Sequence, residues 1–94
     1  MYNARSMANY MGGSAPAMAS QVAEGYILVN PNTLRGYLPG ELALLKTELE
    51  KLQRDARAVV PAQDDAQANQ ARNRRINRIS SAIQVIQNKM SDRR

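Results

Sequence analysis

The chain predicts a mainly α fold: an antiparallel, coiled-coil-like helical hairpin preceded by an extended N-terminal arm. Three observations predict it. Leu42, Leu45, Leu49, Leu52, Ala56 and Val59 run with alternating spacings of three and four, and Ile76, Ile79, Ile83, Ile86 and Met90 repeat that spacing. Such alternation is the seam of a coiled coil. Pro61 stands between the two stripes and breaks the helix that would join them. The N-terminal part is of another kind: residues 1–20 are rich in Ala, Met, Ser, Asn and Gly, and all four tyrosines lie before the first long helix. The expected division is therefore an arm over 1–30, a turn-rich linker over 31–39 and a hairpin over 40–91.

Within the arm, Asn3 can cap a short helix and Gly12 can end it, which places Met7, Tyr10 and Met11 on one face. The plainer reading of residues 1–20 is a flexible tail. Tyr26, Ile27, Leu28 and Val29 form the one β-like stretch, closed by the turn residues Asn30, Pro31 and Asn32. A lone strand needs a sheet edge supplied by a neighbour. The alternative is an extended segment lying over one end of the hairpin. In the linker, Gly36, Pro39 and Gly40 limit any helix to about one turn, capped by Asn32.

The first long helix is expected over 40–60, with Glu50–Arg54 and Lys51–Asp55 as ion pairs one turn apart. A turn follows over 61–63. The second helix is expected over 64–91, with Asp64 and Asp65 at its positive end and Lys89, Arg93 and Arg94 at its negative end. A turn centred near Pro61 sets Leu49 opposite Ile76, Leu45 opposite Ile79 and Leu42 opposite Ile83. It leaves Leu38 and Leu34 to cover Ile86 and Met90, and it sets Leu52 at the level of Arg72. Leu44 and Val85 fall off these seams and, with Ala43 and Ala82, suggest a second apolar face for a partner to cover.

Composition narrows the function more than any motif does. There is no Cys, so no disulfide and no thiolate zinc site; there is no His, the commonest metal ligand and general base. No catalytic residue, metal site or cofactor is expected. No phosphate-cradling loop is present, since Gly12-Gly13 lacks the following Lys. No apolar run approaches the ~20 residues of a membrane span, and no charged start leads into an apolar signal block. A protein without membrane insertion is expected, either cytoplasmic or inside a viral or other macromolecular particle.

Charge is uneven. Residues 1–40 sum to +1, residues 41–63 cancel, and residues 64–94 carry +4 of the net +5. The basic run is Arg72, Asn73, Arg74, Arg75, Ile76, Asn77 and Arg78. On a helix, Arg72, Arg74, Arg75 and Arg78 neighbour one another at three and four residues. Guanidinium forks match phosphate oxygens, and Asn can reach a base edge or a ribose hydroxyl. Over these seven residues the composition resembles the arginine-rich helical peptides with which some phage proteins grip RNA hairpins. The plainer reading is a solvated basic face neutralised by Glu48, Glu50 and Asp55 across the hairpin.

Two functions follow as expectations. The first is a small structural or accessory subunit of a larger assembly, such as a virion or an injection apparatus, which bridges protein neighbours with its arm and hairpin. Its motive is that a two-helix hairpin buries little core. Its expected arm contacts are Met7, Tyr10, Met11, Tyr26, Ile27, Leu28 and Val29. The second is a small nucleic-acid binder that uses the basic face of the second helix. A plainer alternative is a homo-oligomer, in which two hairpins form a homodimeric four-helix bundle.

Overall fold

The computed structural model describes residues 10–91. The chain there is mainly helical, with three helices: α1 Ala15–Glu24, α2 Pro39–Ala58 and α3 Ala66–Ser91. No strand occurs among the described residues.

The first departure from expectation is α1, which lies where an extended arm was expected. Its start is fixed by Ser14, whose Oγ accepts from the Ala17 amide at 3.2 Å, and Pro16 pre-sets the first turn. Its end is fixed by Gly25, held at φ +89°, a conformation only glycine adopts without strain. The Gly25 amide donates to Val22 O and the Tyr26 amide to Gln21 O, which satisfies two carbonyls of the last turn. Ala15, Met18, Ala19, Val22 and Ala23 are all buried on one face. Ala15, Ala19 and Ala23 recur every four residues, so the small side of α1 packs closely against α2 and α3.

The helix expected between Asn3 and Gly12 is not formed over residues 10–12, which are bend and turn; Asn3 and Met7 lie outside the described residues. Tyr26 to Val29 form no strand. They run irregularly after α1, with Val29 buried, Ile27 half-buried, and Tyr26 and Leu28 exposed. Over residues 31–36 the chain makes turns capped by Asn30, where Asn32 was expected. Asn30 and Thr33 each accept the other's amide, at 2.9 and 3.0 Å. This closes the turns and drives Leu34 fully into the core.

α2 begins on Pro39, and the Glu41 carboxylate accepts the Leu38 amide at 2.8 Å. It ends at Ala58, two residues short of the expected boundary, as Val59 turns extended ahead of Val60 and Pro61. α3 starts at Ala66 because Asp65 is its cap, with Oδ1 accepting the Ala68 amide at 3.0 Å. Asn69 Nδ2 donates back to Ala62 O and Asp65 O, pinning the connection. The surface pairs differ from those expected: Glu50 pairs with Lys46 and Lys51 with Glu48.

α2 and α3 pack side by side, and α1 lies against both. Leu42, Leu45, Leu49, Ile79 and Ile86 are buried together with Met18, Val22, Val29, Leu34 and Ala82. Leu52, Ile83, Val85 and Met90 pack against this core, Ile76 is half-buried, and Leu38 is exposed. Of the expected second apolar face, Ala82 is buried and Val85 packs against the core, whereas Ala43 and Leu44 remain exposed. The expected register does not hold. Gln53 Nε2 donates to Ser80 Oγ at 2.6 Å, whereas that register sets Ser80 beside Leu45, two helical turns or roughly 12 Å away. α3 is shifted along α2 accordingly.

One corner is polar. Tyr10 donates to Glu41 O at 2.8 Å, stands edge-on to Tyr37 with ring centroids 5.7 Å apart, and Tyr37 donates to Met18 Sδ at 3.2 Å. Burial raises the Tyr10 hydroxyl above its ordinary range, and the nearby Glu41 carboxylate adds to this. Burial likewise raises Tyr37, against a lowering hydrogen bond with the Met11 backbone. A raised folded-state pKa means that the stabilising neutral form is fully present below the unfolded-state value, about 10. It is lost as pH rises through the folded-state values. The 295 nm titration should therefore show a late tyrosinate component that disappears in the Tyr10→Phe/Tyr37→Phe variant and in denaturant.

The packing of α1 gives a second expectation. Ala19→Leu should destabilise the protein by about 1–3 kcal/mol through overpacking, measured by urea unfolding. An arm extended away from the hairpin would leave stability unchanged.

Candidate interaction face

α3 sets out its arginines on a stripe at three-residue spacing, and the stripe faces inward. Arg72 Nε donates to Ala56 O at 3.1 Å and Val59 O at 2.9 Å, and its Nη2 donates to Arg57 O at 3.0 Å. These carbonyls belong to the end of α2, where no further turn exists to use them. Arg78 Nε donates to Ala23 O at 2.9 Å, at the end of α1. Arg75 pairs with Glu24, the last residue of α1. Two helix C-termini, each carrying about half a negative charge, therefore converge on one face of α3.

Of the four candidate phosphate ligands, the structure thus brings Arg72, Arg75 and Arg78 onto the protein's own backbone and its own carboxylate. Arg74 alone stays on the exposed side, among Gln70, Asn73 and Asn77. Partners for the run were expected from Glu48, Glu50 and Asp55. The partner is instead Glu24, on a helix that the sequence reading did not contain. The Arg75–Glu24 pair is partly exposed on both sides, so its contribution is modest, about 0.2–1 kcal/mol. The arginine bonds to the helix ends add to it; those to Ala56 O and Ala23 O are partly buried, and those to Arg57 O and Val59 O are exposed.

Gly25 is part of this arrangement. A Cβ there would lie 3.4 Å from Arg78 Nε, and its positive φ already disfavours a side chain. The signal for all this was present in Ser14, Pro16 and Gly25, which bracket α1 as cap, first-turn proline and terminator.

Several apolar groups remain uncovered once the core is closed. Val59 and Val60 are 70% and 71% exposed at the end of α2. Val59 lines a groove with Leu52, Ala56, Pro61 and Ala68, and Asp55, Arg72 and Arg75 also line it. Tyr26 and Leu28 are 78% and 77% exposed beside α3, and Met11 is 43% exposed. Of the expected arm contacts, then, Tyr26, Leu28 and Met11 are presented outward. Tyr10, Ile27 and Val29 are turned into the fold, and Met7 lies outside the described residues.

Among the described residues no group of three or more Asp or Glu side chains is placed to hold a metal ion. No helix among them is long and apolar enough to cross a membrane. Comparison of the chain with protein families, with curated proteins and with solved structures finds no match.

The arginine stripe makes a graded prediction for urea unfolding. Arg78→Met and Arg72→Met should each cost about 1.5–3 kcal/mol, the range for hydrogen bonds from charged groups. Arg74→Met should stay within about 0.5 kcal/mol of the parent.

Proposed function

We propose that this protein is a small accessory subunit that joins protein neighbours in a larger assembly, of the kind found in a virion or an injection apparatus. The observation that carries the reading is the exposed aliphatic tip, Val59 and Val60, left uncovered while Leu42, Leu45, Leu49, Ile79 and Ile86 are buried. Tyr26 and Leu28 supply a second outward apolar surface, on the segment expected to make arm contacts. Exposed large apolar groups that adjoin a groove mark interaction sites. The coiled-coil-like hairpin of α2 and α3 serves as the rigid part that presents the tip. The arm's role is narrower than the sequence suggested: α1 completes the core, and the bridging falls to the tip and the Tyr26–Leu28 surface.

A second reading rests on one further observation. α3 has no acidic residue between Ala66 and Ser91, and Arg74 stands outward among amides. On this reading Arg74 is the phosphate contact and the other arginines are structural. Nucleic-acid affinity would then fall steeply with salt and fall again in Arg74→Ala.

The experiment that separates them is site-specific photo-crosslinking in the cells that make the protein. A benzophenone side chain at Val59 or Tyr26 should give discrete protein adducts, and one at Thr47 should give none. Val59→Ser/Val60→Ser should release the chain from the large complex with its helicity unchanged. Migration as a free monomer in both forms would contradict the assembly reading.

A further inference from the structure

The segment from Gly25 to Val29 does not lie flat on α3. It leaves a half-open cavity of about 280 Å³ walled by Val22, Ile27, Leu28, Val29 and Ala82. Asn77, Arg78 and Ser81 form its polar edge. Arg78 is the one ionic group in this lining, and its Nε–H is taken by Ala23 O. The two Nη groups are the donors left for a ligand. Asn77 and Ser81, both on the exposed side of α3, add uncharged donors one helical turn apart. The volume falls just below the range of pockets that hold drug-sized ligands, so one residue fills it and a longer segment does not.

We infer that this cavity takes the C-terminal residue of a partner polypeptide, one with an aliphatic side chain and a free carboxylate. The charge complementarity is specific. A single positive fork sits at the rim of an apolar cavity, and a chain end is the one place where a polypeptide carries an aliphatic side chain and a carboxylate on the same residue. Capture of a terminal carboxylate beside a side-chain pocket is an established recognition mode. Leu28, exposed at the rim, closes over the incoming side chain, while the carboxylate meets Arg78 Nη with Asn77 and Ser81 beside it. Arg78 is held in place beforehand by Ala23 O and by the close approach of Gly25, so little ordering is lost on binding. The inference rests on the partner-joining reading above and names the chemistry of one partner.

The test titrates the full chain with acetyl-Gly-Ser-Gly-Ser-Leu bearing a free C-terminus, followed by ¹H–¹⁵N NMR. Shifts should concentrate on Ile27, Val29, Asn77, Arg78 and Ser81. Amidating the peptide C-terminus should weaken binding at least tenfold. Asn77→Asp, which sets a negative charge beside the carboxylate, should do the same. Ser81→Tyr should abolish binding by filling the cavity; both variants change exposed positions, and circular dichroism checks that the fold is kept. Equal binding of the amidated peptide, equal binding of octanoate, or no shifts at millimolar free-acid peptide would each overturn the inference. Failure here with intact crosslinks at Val59 removes the cavity alone, whereas loss of those crosslinks with peptide binding intact removes the tip.

Discussion

The fold depends on a set of cations placed where helices stop. Each helix C-terminus leaves carbonyls without intrahelical partners, and each end carries partial negative charge. α1 uses two of its last carbonyls on Gly25 and Tyr26 amides and a third on Arg78. α2 has no glycine terminator and uses Arg72 on three carbonyls. Both arginines come from one face of α3. The arginine stripe therefore ties the ends of α1 and α2, which Gly25 and the extended Val59 ahead of Pro61 terminate, to one face of α3.

The rest of the packing follows from that constraint. With α1 held by Arg78 and Arg75, its alanine face closes on the aliphatic seam, and Met18 and Val22 fill the space that two helices alone would leave open. A chain without Cys, His, Phe or Trp can then build a single core from Leu, Ile, Val, Met and Ala. Close approach needs small residues on α1, and close approach is what brings the Ala23 carbonyl within reach of a guanidinium. Packing and capping are two aspects of one arrangement.

This arrangement also shows which parts were legible in the sequence. The α2 and α3 stripes were, because a three-four spacing sustained over five or six positions outweighs any local propensity. α1 was not, since its apolar stripe is mostly alanine and weak in hydrophobicity; its brackets, Ser14 and Gly25, were the better signal. The roles of Arg72, Arg75 and Arg78 were hidden for a related reason. A basic run reads as a surface for anions, and only the position of α1 reveals that the anions are the protein's own helix ends and Glu24. The register slipped because the connection pinned by Asn69 is not a symmetric turn about Pro61. The candidate interaction surfaces are legible only after the core is known, as exposure separates Tyr26 and Leu28 from Ile27 and Val29.

The functional reading changes accordingly. The basic charge of α3 is first a structural device, while Val59, Val60, Tyr26 and Leu28 stay exposed. The central claim, that the arginines are structural donors to helix ends, is tested most directly by NMR of the arginine Nε–H groups. The account predicts that Arg72 and Arg78 give resolved Nε–H signals that persist in D₂O, with contacts from Arg78 Hδ to Gly25 Hα, while Arg74 exchanges at once. Rapid, uniform exchange of all four would contradict it.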